Sequence, residues 1–206
     1  NDVAVYTKTD LNDTEQVKQE ADSLLVALKE ANLINDKQYT HLTSFTAQCP
    51  IFYGIPKIHK NGCPLRPIVS QINGLTSSIS RYVSELLFVA EKEIPYLLQD
   101  TTAFLNIIRK EKQISEKTFI VTMDVTSLYT NIPHEEGADW VAEYYAETLK
   151  FWPKYTPDLA PIDKETLKKL ILFILQNTNF EFNNEFFTQN YGRGPTTMGA
   201  SLSVRF

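Results

Sequence analysis

The stretch Phe119-Ile-Val-Thr-Met-Asp-Val-Thr-Ser-Leu-Tyr-Thr-Asn-Ile-Pro133 sets an apolar, β-branched run ahead of one carboxylate, Asp124. An aromatic, Tyr129, follows five residues on, and Pro133 closes the segment. The run reads as a buried strand over 118–124 that delivers an Asp at its carboxyl end. A rigid strand end suits a Mg²⁺ ion, which takes one or two carboxylates together with the oxygens of a phosphate substrate. The plainer reading is a core strand that stops at a turn or helix-capping Asp.

Upstream, residues 49–72 change character: Cys-Pro-Ile-Phe-Tyr-Gly-Ile-Pro-Lys-Ile-His-Lys-Asn-Gly-Cys-Pro-Leu-Arg-Pro-Ile-Val-Ser-Gln-Ile. The prolines Pro50, Pro56, Pro64 and Pro67 exclude a helix and suit edge strands. Two extended runs flank Asn61-Gly62, a pair that tolerates positive φ at both turn positions, so the segment reads as a hairpin. Lys60 lies near its tip on one arm and Arg66 on the other. Net charge over the 206 residues is −5, which argues against a uniformly basic nucleic-acid binder. Its distribution differs: residues 50–84 carry Lys57, Lys60, Arg66 and Arg81 and no acid. Nucleic-acid contact needs a patch of one sign rather than a basic whole.

The remaining chain alternates helices with short extended pieces. Residues 1–10 read as a loose lead-in. Val17, Ala21, Leu24, Leu25 and Leu28 recur at helical spacing up to about Asn32, and a shorter helix is expected from Asp36 to about Leu42. Ser77 or Ser78 caps an expected helix to about Lys92 with Ile79, Val83, Leu86, Leu87 and Ala90 on one face, and Pro95 ends it. Asp100 caps another, through about Lys110, bearing Phe104, Ile107 and Ile108. Residues 111–117 are a polar connector. Helices are expected from Glu135 to about Lys150 and from Asp163 to about Asn177, with a proline-bearing loop over 151–162. Phe180–Thr188 alternates around Asn183-Asn184 as a second hairpin. A glycine-bearing loop over 191–199 leads into Ala200–Phe206, read as the first turns of a helix. The class is α+β, helix-rich, with helices packed on a small antiparallel sheet.

No charged leader with an apolar core opens the sequence, and Leu170–Leu175, its best apolar run, is far short of the roughly 20 residues that span a bilayer. Cys49 and Cys63 each precede a proline. Two buried or half-buried thiols in a reducing compartment are expected, with too few ligands for a Cys/His metal site. His41, His59 and His134 show no metal-ligand spacing, although His59 could touch a phosphate.

Taken in order, these features resemble the fingers and first half of the palm of a reverse transcriptase, and most nearly the Penelope-like retroelements, relatives of the telomerase catalytic subunit. Tyr53-Gly-Ile-Pro-Lys-Ile-His-Lys60 is similar to that family's first motif and Leu65-Arg-Pro-Ile-Val-Ser70 to its second. Met123–Pro133 is similar to motif A, and Thr197-Met-Gly-Ala-Ser-Leu-Ser203 to motif B. The resemblance runs from about residue 50 onward. It implies a right-hand polymerase architecture: a helical lead-in at 1–49, fingers at 50–117 and a partial palm at 118–206 that stops before motif C.

The resemblance also implies roles. Asp124 would ligate two Mg²⁺ ions that serve an in-line nucleotidyl transfer, and the main-chain carbonyl of Val125 would complete one shell. Tyr129 would sit under the sugar and exclude a 2′-hydroxyl. Lys60 and Arg66, facing each other across the hairpin, would hold the triphosphate. Lys57 is a secondary candidate for that role or for the template backbone. Met198 and Gly199 would lie against the templating base pair. Gln189 is a secondary candidate, at wider spacing than the family shows, and Pro195 stands where the family has glycine. The implied partners are an RNA template with a DNA primer and deoxynucleoside triphosphates, in an intracellular, nuclear setting. Motif C, the thumb and the appended endonuclease of some members have no counterpart, and the sequence contains no Asp-Asp pair. These residues alone are therefore expected not to polymerise, and to expose the edge of the Asp124 strand. The competing reading is a polymerase-derived domain that binds RNA or nucleotide without chemistry, followed by a plain structural domain.

Overall fold

The computed structural model describes residues 6–9, 14–43, 48–110, 117–119, 121–125, 132–155, 159–189 and 202. It is mixed α+β, with a five-stranded sheet beside a helical core. The strands are β1 (Tyr6–Thr9), β2 (Ile51–Pro56), β3 (Leu65–Ser70), β4 (Phe180–Phe182) and β5 (Glu185–Gln189), in the order β1-β5-β4-β2-β3. The helices are α1 (Thr14–Glu30), α2 (Asp36–Thr43), α3 (Ser77–Lys92), α4 (Thr101–Ile108), α5 (His134–Thr148), α6 (Trp152–Tyr155) and α7 (Lys164–Gln176).

The helical core forms around α3. Its Ile79, Tyr82, Val83, Leu86, Leu87, Val89 and Ala90 are all buried, and apolar burial at about 2 kcal/mol per large side chain makes this stripe the main driving force. Val17, Ala21, Leu25 and Leu28 of α1 join the same core, as do Ala138 and Tyr145 of α5 and Leu167, Leu170 and Ile171 of α7. Two caps follow the expected chemistry. Asp100 accepts from the Ala103 N–H at 2.7 Å to start α4, and Asp163 accepts from the Thr166 N–H at 2.9 Å to start α7. The start of α3 differs: Thr76 is its N-cap and makes no side-chain cap bond, while the Ser78 hydroxyl donates instead to the Leu42 carbonyl at 3.0 Å. Residues 151–162 are not all loop, because Trp152–Tyr155 forms a helical turn in which Pro153 needs no amide partner.

The sheet corrects three expectations. The lead-in contains β1, which pairs antiparallel with β5 through Tyr6↔Gln189 to Thr9↔Phe186. The sheet is not wholly antiparallel, since β2 meets β4 in parallel at Ile51↔Glu181. Segments 1–49, 50–117 and 118–206 therefore each contribute strands to one sheet. One of its faces is aromatic: Phe52 stacks on Phe180 at 5.3 Å, Phe187 stacks on Phe180 at 5.5 Å, and Tyr6 meets Phe180 edge-on at 5.1 Å. The β4–β5 turn is as expected, with Asn183 at φ 52° and Asn184 at φ 61°, the left-handed pair of a tight hairpin.

The third correction concerns the stretch that leads the sequence reading. Residues 121–125 belong to no strand and are exposed, with Met123 94% and Val121 74% accessible. A β-branched run becomes a buried strand only where neighbours supply both ladder and cover. Among the described residues the run pairs with neither edge of the five-stranded sheet, β1 or β3.

Candidate functional site

The chemistry-bearing cluster is the β2–β3 hairpin. Its register pairs Ile51↔Ser70, Tyr53↔Ile68, Ile55↔Arg66 and Pro56↔Leu65. Antiparallel partners point to the same face, so Ile51, Tyr53, Ile55, Arg66 and Ile68 share one side. Phe52 and Val69 share the other, with Val69 buried and Phe52 in the aromatic cluster. The Arg66 face is open: Ile51, Tyr53 and Ile55 are all exposed, as is Arg66 itself.

The strands are joined by residues 57–64 rather than by a two-residue turn at Asn61-Gly62. The Lys57 N–H donates to the Pro64 carbonyl at 2.9 Å, and inside that closure the Lys60 N–H reaches the Lys57 carbonyl and the Cys63 N–H the Lys60 carbonyl, both at 3.0 Å. Positive φ falls at Gly62 (76°) and Cys63 (42°), one residue later than the Asn-Gly pair suggests. Cys63 is exposed and Cys49 half-buried, and neither is in a disulfide, so the expectation of two covered thiols fails at Cys63.

The loop changes the expected phosphate clamp. Lys60 sits at the exposed tip and Arg66 on the strand opposite Ile55, so the two do not face each other across a ladder. Lys57 is half-buried at the loop's root. Among the described residues no carboxylate forms an ion pair with Lys57, Lys60 or Arg66; the acidic partners of other lysines lie on α2 and α5, at the C-cap of α3 and on β5. Three unneutralised cations on one hairpin, with Tyr53 on the Arg66 face, make a surface suited to phosphate and an aromatic base. Sequence reasoning passed over Tyr53 as a site residue. Its signal was parity, because it stands two residues from Ile55, the partner of Arg66.

Asp124 and Val125 are exposed, outside any strand. No group of three or more His, Cys, Asp or Glu side chains converges among the described residues. The donors found at this place, one carboxylate and one main-chain carbonyl, fall short of a two-ion Mg²⁺ site, which needs further carboxylates to balance its charge. Tyr129, Met198 and Gly199 lie outside the described residues. Gln189 ends β5, opposite Tyr6. His134 is buried in the first turn of α5, and no described helix is long and apolar enough to cross a membrane.

No protein-family model matches the sequence, and no curated protein or solved structure does either.

Proposed function

We propose that the chain is the fingers and partial palm of an RNA-directed DNA polymerase of the retroelement type, and that its own residues supply nucleotide and nucleic-acid binding rather than complete catalysis. The reading rests on four motifs in family order, and the observation that carries it is the β2–β3 hairpin. Among the described residues, Lys60 at the tip of the hydrogen-bonded loop and Arg66 on β3 have no carboxylate partner. Arg66 offers paired donors to a phosphate, and Lys60 adds a mobile point charge from the loop. Tyr53 provides an apolar platform on the same face for a base or sugar. Asp124 stands as one prospective metal ligand that lacks carboxylate company, so no chemical step is routed through Mg²⁺.

The deciding experiment measures deoxy- and ribonucleoside triphosphate binding with and without Mg²⁺, beside primer extension on an RNA template. The polymerase reading expects Mg²⁺-dependent binding that prefers the deoxy sugar and loses that preference in Tyr129→Ala, with no extension by these 206 residues alone. Salt-sensitive RNA binding indifferent to metal would instead favour a binding-only domain. That second reading draws on the exposure of Asp124.

A further inference from the structure

Two surfaces among the described residues lack covering and match each other. The first is α4. Its Phe104, Leu105, Ile107 and Ile108 are each 42–51% exposed, and no residue of the helix is buried. A capped apolar helix with no buried residue is an unusual arrangement, since burial is what normally holds short helices together. Arg109 and Lys110 follow it directly, both exposed and neither ion-paired among the described residues.

The second surface is a groove of about 670 Å³ between the end of α3, the segment 94–99 and α5. Leu87, Ala90, Ile94, Leu97, Trp140 and Tyr144 line it, and Trp140 is 71% exposed. No residue of α4 lines it, because the chain runs along its wall through Leu98 and Gln99 and then leaves into α4. The groove is rimmed with acid. Helix α5 carries Glu135, Glu136, Asp139, Glu143 and Glu147 and no Lys or Arg. Lys164 and Lys168 engage Glu143, Asp139 and Glu135, whereas Glu136 and Glu147 have no ion pair among the described residues. Both lie one and two turns from Trp140 on its own stripe of the helix, so they flank the apolar floor.

We propose that the chain forms a two-fold dimer in which α4 of each copy docks in the Trp140 groove of the other. Apolar side chains of α4 cover Trp140 and its neighbours, and the Arg109-Lys110 tail meets Glu136 and Glu147. Charge complementarity selects a second copy as occupant, because an acid-rimmed apolar groove asks for an apolar helix with a basic end, and α4 is one. Each protomer carries both halves, so a two-fold axis makes the contact twice. That doubling lifts two small patches toward the roughly 800 Å² per partner of a stable interface.

The test is sedimentation of the intact 206-residue chain across concentration. A dimer is expected at micromolar protein, and Phe104→Asp should leave a monomer. The double variants Arg109→Glu/Lys110→Glu and Glu136→Lys/Glu147→Lys should each weaken self-association about tenfold or more, and mixing the two should restore pairing. All four charged positions are exposed, so melting curves taken at concentrations where the parent is monomeric should match the parent's. Trp140 emission should shift to the blue as the parent is concentrated and stay unshifted in Phe104→Asp. A parent that remains monomeric at about 100 µM overturns the proposal. So does a dimer indifferent to both reversals, or a monomer whose groove binds only an added peptide of residues 100–110.

Discussion

The Leu202 N–H donates a hydrogen bond to Ser80 Oγ at 3.0 Å, across 122 residues of sequence, and both residues are buried. The bond fastens Leu202 to the first turn of α3. Ser80→Ala would leave a buried N–H without its acceptor, a loss of about 1–3 kcal/mol. Urea unfolding should show that loss, and the Leu202 amide should exchange faster in the variant.

The Ile162 N–H donates to the Tyr145 hydroxyl at 3.1 Å, and the Tyr145 ring meets Trp152 edge-on. Burial pushes that hydroxyl up to about 12, and the Tyr82 hydroxyl rises for the same cause, reinforced by Tyr145. A raised folded-state value favours the folded protein while the phenol keeps its proton. Stability from this source is therefore complete below about pH 10 and declines as pH rises toward 12. Tyr145→Phe should cost about 1–3 kcal/mol at neutral pH through the orphaned Ile162 N–H, yet flatten the alkaline decline. Melting curves from pH 8 to about 12 check both signs.

Asp163 caps α7 with bonds from the Thr166 hydroxyl at 2.6 Å and the Thr166 N–H at 2.9 Å, and these hold its carboxyl below the usual carboxylate range. A lowered value stabilises the fold above the unfolded value of 3.8, and the contribution disappears as pH falls through the folded value. Asp163→Ala should lose about 1 kcal/mol at pH 7, and Asp163→Asn less. Both variants should show a shallower acid dependence than the parent in thermal melts.

Two glycines predict opposite tolerance. A Cβ on Gly54 would meet Leu65 Cδ1 at 3.0 Å, the far end of an exposed side chain that can swing away, and Leu65 Cβ at 3.3 Å, which a shift of a few tenths of an ångström on this exposed arm relieves. A Cβ on Gly74 would meet Gln71 Oε1 at 2.6 Å and the Gln71 carbonyl at 3.2 Å, where the side chain is buried and the backbone is held by the Gly74 N–H. Gly74→Ala should cost about 1–3 kcal/mol and Gly54→Ala less than about 1 kcal/mol in denaturant unfolding.

On the hairpin, removing one phosphate contact should reduce the salt slope of nucleic-acid binding by about one unit. Lys60→Ala and Arg66→Ala are each expected to do so in a polarisation titration across salt. Arg66→Lys should recover less than full affinity, because an ammonium lacks the paired donors. Slopes unchanged in both alanine variants would remove the hairpin from the interface.

The helices were legible because their signals are local. Asp100 and Asp163 announce two starts, and the α3 stripe from Ile79 to Ala90 announces the core. Asn183-Asn184 was legible for the same reason. Pairing across the sheet was not. Tyr6-Thr-Lys-Thr9 is short and half polar, and becomes a strand only because β5 offers it a ladder. Phe119–Asp124 has the composition of a strand, yet composition does not name a partner. At the candidate site, Lys60 and Arg66 could be placed on one hairpin from sequence, but their separation depends on how residues 57–64 close, which the Asn-Gly signal misplaces by one residue.

The hairpin is also a lever with a fixed root. At its base, Glu181 N–H bonds the Pro50 carbonyl at 2.7 Å, Ile51 meets β4, Phe52 stacks on Phe180, and Val69 is buried. Beyond Tyr53 and Pro67 both arms are exposed, and only each other's backbone steadies them. Amide exchange should therefore quicken steadily from Val69 toward Lys60. An anion grasped by Arg66 and Lys60 would slow the free end first, turning a gradient of protection along one arm into a gauge of whether the tip is holding something.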